Sequence, residues 1–258
     1  MIRTRIDFDV RTLPESIQKV ITGSTIYNSS CSVKAKTLLI DGKDKYYLKI
    51  NKRGYLLREN AMTAFLHSYG LAPAVVVYEN DSKHDYLLTE ALPGEDGISG
   101  GHLDNPERLA AVFGESLGLI HALPPDRCPH KNRTAEMIGE VYENAKSGSV
   151  DLYIIPEGES KAMERFEKLK HRAVDDVVFH GDYCLPNIIM NSFSLTGFID
   201  LGYGGFGDRH NDIFWGTWTL QYNLKTDAYR DIFLDAYGRK DIDDERLELC
   251  RLIAGLTG

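Results

Sequence analysis

The chain reads as an α+β protein in two parts: an antiparallel sheet of five strands with one helix over residues 1–91, then a mostly helical part over residues 92–258. Three observations predict this. Apolar residues alternate with a period of two through most of the first part and with a helical period through most of the second. Asp41-Gly42 between two such runs is a strong hairpin signal. Pro93-Gly94 breaks the pattern where the period changes.

In order, Thr12-Leu13-Pro14-Glu15 opens a short helix to Ile21, with Thr12 placed as the cap, Glu15 completing a capping box and Pro14 in the first turn. Ser24–Tyr27, Val33–Ile40 and Lys45–Ile50 read as strands. The polar loop Tyr27 to Ser32 stands where a phosphate-covering turn is expected; it lacks G-x-G-x-x-G, and a plain hairpin turn fits it equally. Lys49 closes an apolar strand, and on spacing alone a solvent-facing lysine is as good a reading as a functional one. A helix follows from Leu56 to Tyr69, with Leu57, Ala61, Ala64 and Phe65 on its inward face, Glu59 near its start and Gly70 as its stop. Ala74–Glu79 and Asp85–Glu90 complete the sheet.

Beyond the break, Asn105-Pro106-Glu107 starts a helix whose stripe is Leu109, Val112, Phe113, Leu117 and Ile120. His121 at its end reads as a packed or capping residue. Helices are also expected over Ala135–Lys146, Ser160–His171, from Asp208 through Trp218, Ala228–Tyr237 and Asp243–Ala254.

Composition bounds the function. The chain of 258 residues is 43% hydrophobic with a formal charge of −8. No basic stripe stands out, which argues against nucleic acid or an anionic membrane as partner, and no run is long enough to span a bilayer. The four cysteines have neither C-x-x-C spacing nor a histidine placed to complete a zinc site. With a charged start, MIRTRIDFDV, they lead to the expectation of a cytoplasmic protein with reduced thiols, a monomer or weak dimer.

The chemistry concentrates in His180 to Gly202. Asp182 follows the apolar run DVVFH, Asn187 comes five residues later, and Asp200 closes a second run, TGFID. Phosphoryl transfer needs hard oxygen ligands to hold magnesium against phosphates, and a separate carboxylate to accept the proton of the attacking hydroxyl. D-x-x-x-x-N followed by an aspartate supplies both. Taken singly, each of these residues also suits an ordinary turn.

On H-G-D-x-x-x-x-N and G-F-I-D-L-G the sequence resembles the aminoglycoside 3′-phosphotransferase family, most sharply from Val178 to Ile213. The resemblance implies a bilobal, protein-kinase-like fold and transfer of the γ-phosphoryl group of ATP, or of GTP, to a hydroxyl of a small cationic acceptor, an aminoglycoside, as in antibiotic resistance. It implies Asp182 as catalytic base, Asn187 and Asp200 as magnesium ligands, and Lys49 paired with Glu59 on the phosphates. Tyr47 would stack on adenine, the backbone of Thr89, Glu90 and Ala91 would meet the adenine edge, and Ile199 would line the nucleotide pocket. Asp212 would brace the catalytic loop.

A protein substrate is disfavoured: Gly181 replaces the arginine of H-R-D, and too few residues follow Asp200 for an activation loop. Two other readings stay open, a kinase of another amino sugar or amino alcohol and a silent nucleotide-binding protein. The acceptor half departs from the family. Ala254 and Gly255 stand where an Asp-Glu pair would align, and Tyr222 and Asn223 where acidic residues are common, leaving Asp151, Glu157 and Glu159 as candidate carboxylates.

Overall fold

The computed structural model describes residues 3–30, 35–146 and 148–258. The chain divides into two compact units, Met1–Pro93 with Thr196–Gly202, and Gly94–Leu195 with Tyr203–Gly258.

The first unit holds strands β1 (Thr4–Arg5), β2 (Thr25–Asn28), β3 (Lys36–Asp41), β4 (Lys45–Lys52), β5 (Val75–Asn80) and β6 (His84–Glu90), with helices α1 (Glu15–Ile21) and α2 (Leu57–His67). The sheet runs β1-β2-β3-β4-β6-β5, all antiparallel. It therefore has six strands rather than five. The added one, β1, pairs only Thr4 with Asn28 and Arg5 with Tyr27, too short for a period of two to reveal. Part of the Tyr27–Ser32 loop lies outside the described residues.

Register explains the core. Leu38, Leu48 and Leu88 lie side by side across β3, β4 and β6, and this face packs on Leu13, Ile17 and Ile21. Lys49, one residue on from Leu48, takes the opposite face. Two local readings change. Thr12 does not cap α1; it ends a 3-10 turn, Val10–Thr12, and its hydroxyl donates to Asp9 O at 2.7 Å, leaving Pro14 at the helix start. In α2 the buried residues are Glu59, Met62, Thr63 and Leu66, while Leu57 is exposed, so the helix is rotated from the face expected. Burying Glu59 against Lys49 decides that rotation, which an apolar count cannot foresee.

The second unit opens with β7 (Glu95–Asp96), α3 (Gly100–Leu103), α4 (Pro106–His121), α5 (Arg133–Asn144) and α6 (Glu159–Leu169). Strand β8 (Val177–Phe179) follows, then β9 (Ile188–Asn191) and β10 (Ser194–Phe198), whose turn uses positive φ at Ser192 and Phe193. β11 (Gly205–Gly207) pairs with β8, and β7 pairs with β9. Helices α7 (His210–Leu224), α8 (Arg230–Tyr237) and α9 (Asp244–Thr257) close the chain. Val141, Phe166, Phe179, Leu249 and Ile253 are central to the core that α5, α6 and α9 build behind β8. Thr196–Gly202 follow the hairpin in sequence but belong to the first unit by contact, because Phe198 N–H donates to Leu71 O at 2.8 Å and Asp200 pairs with Lys49.

Candidate active site

The loop after β8 is held from behind by one buried carboxylate. Asp212, fully buried in the first turn of α7, accepts the backbone N–H of His180 at 2.6 Å and of Gly181 at 2.8 Å. Asn211 Nδ2 donates to Gly181 O at 3.2 Å. Gly181 has φ +88° and a Cβ there would overlap Tyr203 O, so the loop excludes the arginine of H-R-D on backbone grounds. Tyr183 pins the next residues: its ring stacks on Phe113 with centroids 4.4 Å apart, and its hydroxyl donates to Phe113 O at 2.7 Å.

On this frame Asp182 and Asn187 come together. Asn187 Nδ2 donates to both Asp182 O and Asp182 Oδ2 at 2.9 Å, which fixes the carboxylate and leaves the amide's oxygen end for a cation. Burial, then the charge of Asp182, push the Cys184 thiol far above its ordinary range, so it stays protonated beside the loop. Sequence reasoning read His121 as a packed or capping residue. It does pack, but on the brace: Nε2 lies 3.4 Å from Asp212 Oδ2 and Nδ1 2.8 Å from the Tyr237 hydroxyl. Thr219 was missed; its hydroxyl accepts Leu185 N–H at 3.3 Å, tying α7 to the loop a second time. Nothing in its spacing marks it.

In the first unit, Lys49, Glu59 and Asp200 converge. Lys49 Nζ meets Glu59 Oε1 at 2.5 Å and also pairs with Asp200 Oδ1. Burial works against the Lys49 charge, but the two carboxylates outweigh it and raise the ammonium above its ordinary value. Burial, with the Asp200 charge added, holds the Glu59 carboxyl above its own. The two directions agree physically: one cation is shared between two acids, and the more exposed one, Asp200, is freer to exchange its partner. Asp200 sits at φ +61°, a left-handed conformation unusual outside glycine, and such strain persists where the surroundings require it.

Tyr47 lies two residues before Lys49 on the same face of β4, with its hydroxyl accepting Arg3 Nη2 at 2.7 Å. Its cross-strand neighbours are Leu39 and Thr89. At the end of β6, Glu90 N–H donates to Ala74 O at 3.0 Å and Ala91 N–H to Lys45 O at 2.9 Å, so both amides are spent in the sheet. Ile199 is half-buried between Phe198 and Asp200. Among the described residues no three His, Cys, Asp or Glu side chains gather as a metal cage.

The acceptor-side expectations fare unevenly. Ala254 and Gly255 are buried in α9, and a Cβ on Gly255 would overlap Ile155 Cγ2, so neither position is a pocket lining. Asp151 is spent on the turn it starts, its Oδ1 accepting Tyr153 N–H at 2.8 Å. Glu157 pairs with Arg251 at 2.5 Å, which holds its carboxyl below the usual range. A cavity of about 430 Å³ does open in this unit, walled by Tyr153 and Ile154 on one side and Phe214, Trp218 and Gln221 of α7 on another.

Comparison with known proteins shows the family and the fold. The profile of the phosphotransferase enzyme family matches residues 34–250. A probable aminoglycoside 3′-phosphotransferase of Lactococcus lactis is 38% identical over 245 residues, 93% of this chain and 94% of that protein. An aminoglycoside 3′-phosphotransferase of Niallia circulans is 31% identical over 68% of each. Among solved structures, an aminoglycoside 3′-phosphotransferase of type VIII superposes with a TM-score of 0.80 at 24% identity, over 94% of this chain and 98% of that one. An aminoglycoside phosphotransferase of Streptomyces rimosus, in complex with ADP and streptomycin, superposes with a TM-score of 0.77 at 19% identity, over 98% and 100%. The fold is thus the protein-kinase-like α+β fold of these enzymes. The chain belongs to the phosphotransferase enzyme family, among the aminoglycoside 3′-phosphotransferases, and is a kinase-like phosphotransferase. No helix among the described residues is long and apolar enough to cross a membrane.

Proposed function

We propose that the protein transfers the γ-phosphoryl group of ATP to a hydroxyl of an aminoglycoside. The observation that carries this reading is the loop in which Asp212 fixes the backbone and Asn187 fixes the Asp182 carboxylate, inside a chain 38% identical to a probable aminoglycoside 3′-phosphotransferase. Asp182 orients the acceptor hydroxyl and takes its proton as the oxygen attacks phosphorus. The bond from phosphorus to the β,γ-bridging oxygen breaks, and ADP leaves with that electron pair. Lys49, held by Glu59, places its ammonium on the α and β phosphates, giving up Asp200 as it does so. Tyr47 stacks on adenine, Thr89, Glu90 and Ala91 flank its edge, and Ile199 closes the base pocket. Ala91 N–H reaches the base only by leaving Lys45 O.

The oxygen end of Asn187 and the Asp200 carboxylate are hard donors that fit magnesium, and would hold it. When bound, the ion neutralises phosphate charge. GTP is the alternative donor. Most of the acceleration comes from positioning and charge.

A second reading, a kinase of another small amino sugar or amino alcohol, is favoured by one observation: Ala254 and Gly255 are core residues, not carboxylates at a pocket. The test is a mass-shift assay with ATP against aminoglycosides and simple amino sugars, run on the parent and on Asp182→Asn. A shift of one phosphate on an aminoglycoside, with kcat lowered about 10²–10⁴-fold in the variant, is expected. Transfer to simple amino sugars alone selects the second reading, and an Asp182→Asn rate within a few-fold of the parent removes Asp182 as base.

A further inference from the structure

Helix α2 begins without a capping residue of its own. The residues before it, Arg53-Gly54-Tyr55-Leu56, include none of Ser, Thr, Asp or Asn, and Leu56 at the cap position makes no side-chain cap bond. The Leu56 carbonyl accepts the first helical bond, from Asn60 N–H at 2.9 Å, and its own N–H needs an acceptor from outside the helix. That acceptor comes from the sheet. Leu56 N–H donates to Asp85 Oδ2 at 2.9 Å, and both residues are buried, Asp85 with 1% of its surface exposed.

Asp85 lies on the Lys49 side of the sheet. On β6 it faces Asn51 of β4, and two residues further on Leu87 faces Lys49, so with a period of two all four share the face opposite Leu48 and Leu88. Asp85 and Lys49 are therefore diagonal neighbours, about 7–8 Å apart by strand geometry. Leu56 and Glu59 are three residues apart, a rise of about 4.5 Å within one helical turn. The first turn of α2 is thus fastened to the sheet at two points, Leu56 N–H on Asp85 and Glu59 on Lys49 at 2.5 Å. The second oxygen of Asp85, Oδ1, has no hydrogen bond at ordinary distance among the described residues. Tyr78 of β5 stands near enough to feel the carboxylate: burial, then the Asp85 charge, raise its hydroxyl above the ordinary value. A buried carboxylate satisfied on one side is a poor stabiliser, but it fixes where the helix starts.

Resting on the phosphotransferase reading above, we infer that Asp85 is a positioning residue of the nucleotide side: it holds the first turn of α2 where Glu59 meets the Lys49 ammonium. The need is greatest with nucleotide bound. Lys49 then leaves Asp200 for the phosphates, and Glu59 alone sets the direction of the ammonium. Asp85 acts through Glu59 and not on the nucleotide itself.

The test is a double-mutant cycle, with Asp85→Ala and Glu59→Gln made singly and together. ATP affinity is read by displacement of a fluorescent nucleotide in magnesium buffer without acceptor, and kcat and both KM values are measured in parallel. Asp85→Ala should weaken ATP binding roughly tenfold, the coupling expected within one hydrogen-bonded network, and leave the acceptor KM within about twofold. In the Glu59→Gln background the same substitution should change ATP affinity by less than about twofold. Asp85→Asn keeps an acceptor oxygen for the Leu56 N–H without the charge, so it should lose only about threefold. Hydrogen exchange at the Leu56 amide should be slowest in the parent, faster in Asp85→Asn and fastest in Asp85→Ala. Where Asp85→Ala does not fold, the same cycle run with Asp85→Asn decides. An equal loss in both Glu59 backgrounds, or a lowered melt with unchanged ATP affinity, overturns the inference. Glu59-dependent weakening of ATP binding, in a protein that phosphorylates no aminoglycoside or amino sugar, upholds the positioning role and refutes the transfer reading. Transfer with an ATP affinity indifferent to Asp85 does the reverse, and absence of ATP binding by the parent overturns the two together.

Discussion

Replacing Asp212 by asparagine should damage both stability and turnover, by an amount the geometry sets. The carboxylate accepts two backbone N–H groups, at 2.6 and 2.8 Å, with no exposure to water. Hydrogen bonds to a buried charge contribute roughly 1.5–3 kcal/mol each. Asparagine keeps one acceptor oxygen but turns an NH₂ toward the other N–H, so one bond is lost and a donor faces a donor. A loss of about 2–4 kcal/mol follows. For a chain of this size each kcal/mol lowers Tm by roughly 2–4 °C, so the melt should fall by about 5–15 °C. The same loss frees the backbone that aims Asp182, and misplacement of a catalytic group by about 1 Å costs on the order of 10²-fold in rate. Circular-dichroism melts and steady-state kinetics on Asp212→Asn check both, and hydrogen exchange at the His180 and Gly181 amides checks the cause. A melt within about 2 °C of the parent with unchanged exchange would refute the brace.

Two further outcomes follow from single contacts. Gly255→Ala places a Cβ against Ile155 Cγ2 in a filled core, and overpacking should cost about 1–3 kcal/mol in urea denaturation; a stabilised variant would mean that Ile154 and Ile155 yield freely. Tyr237 is pushed up to about 12 by burial, against the opposing pull of Arg209. The folded chain then keeps a proton that the unfolded chain releases near pH 10, so stability present below about pH 10 is lost as pH rises toward 12. Tyr237→Phe should flatten that alkaline decline, and an equal slope in both proteins over that range would show the tyrosine plays no part.

What the sequence made legible is what chemistry forces into short spacing. Asp182 and Asn187 share one loop and meet through it, so their relation survives translation into text. The sheet was legible because its strands are short apolar runs bounded by turn residues, with Leu38, Leu48 and Leu88 of β3, β4 and β6 in register. Elements whose shape depends on distant partners were not. β1 exists only because Asn28 and Tyr27 are there to pair with it, and the face of α2 is chosen by a glutamate that an apolar pattern assigns to solvent. Asp200 is seen in sequence beside the hairpin, yet its salt bridge reaches back to Lys49 across most of the chain.

The acceptor side shows the limit most sharply, and also its physical origin. Alignment by position marks Ala254 and Gly255 as missing carboxylates, which invites restoring them. Their environment gives another reason for small residues: α9 lies against Ile154 and Ile155, and a helix can approach that closely only where a side chain is absent. The same approach brings Arg251 within reach of Ile154 O and Glu157, and so uses up one of the three acids that sequence left available. Small residues in α9 and the pairing of Arg251 with Ile154 O and Glu157 are thus one solution to one packing problem. A carboxylate introduced at Gly255 would undo the packing before it met any ligand.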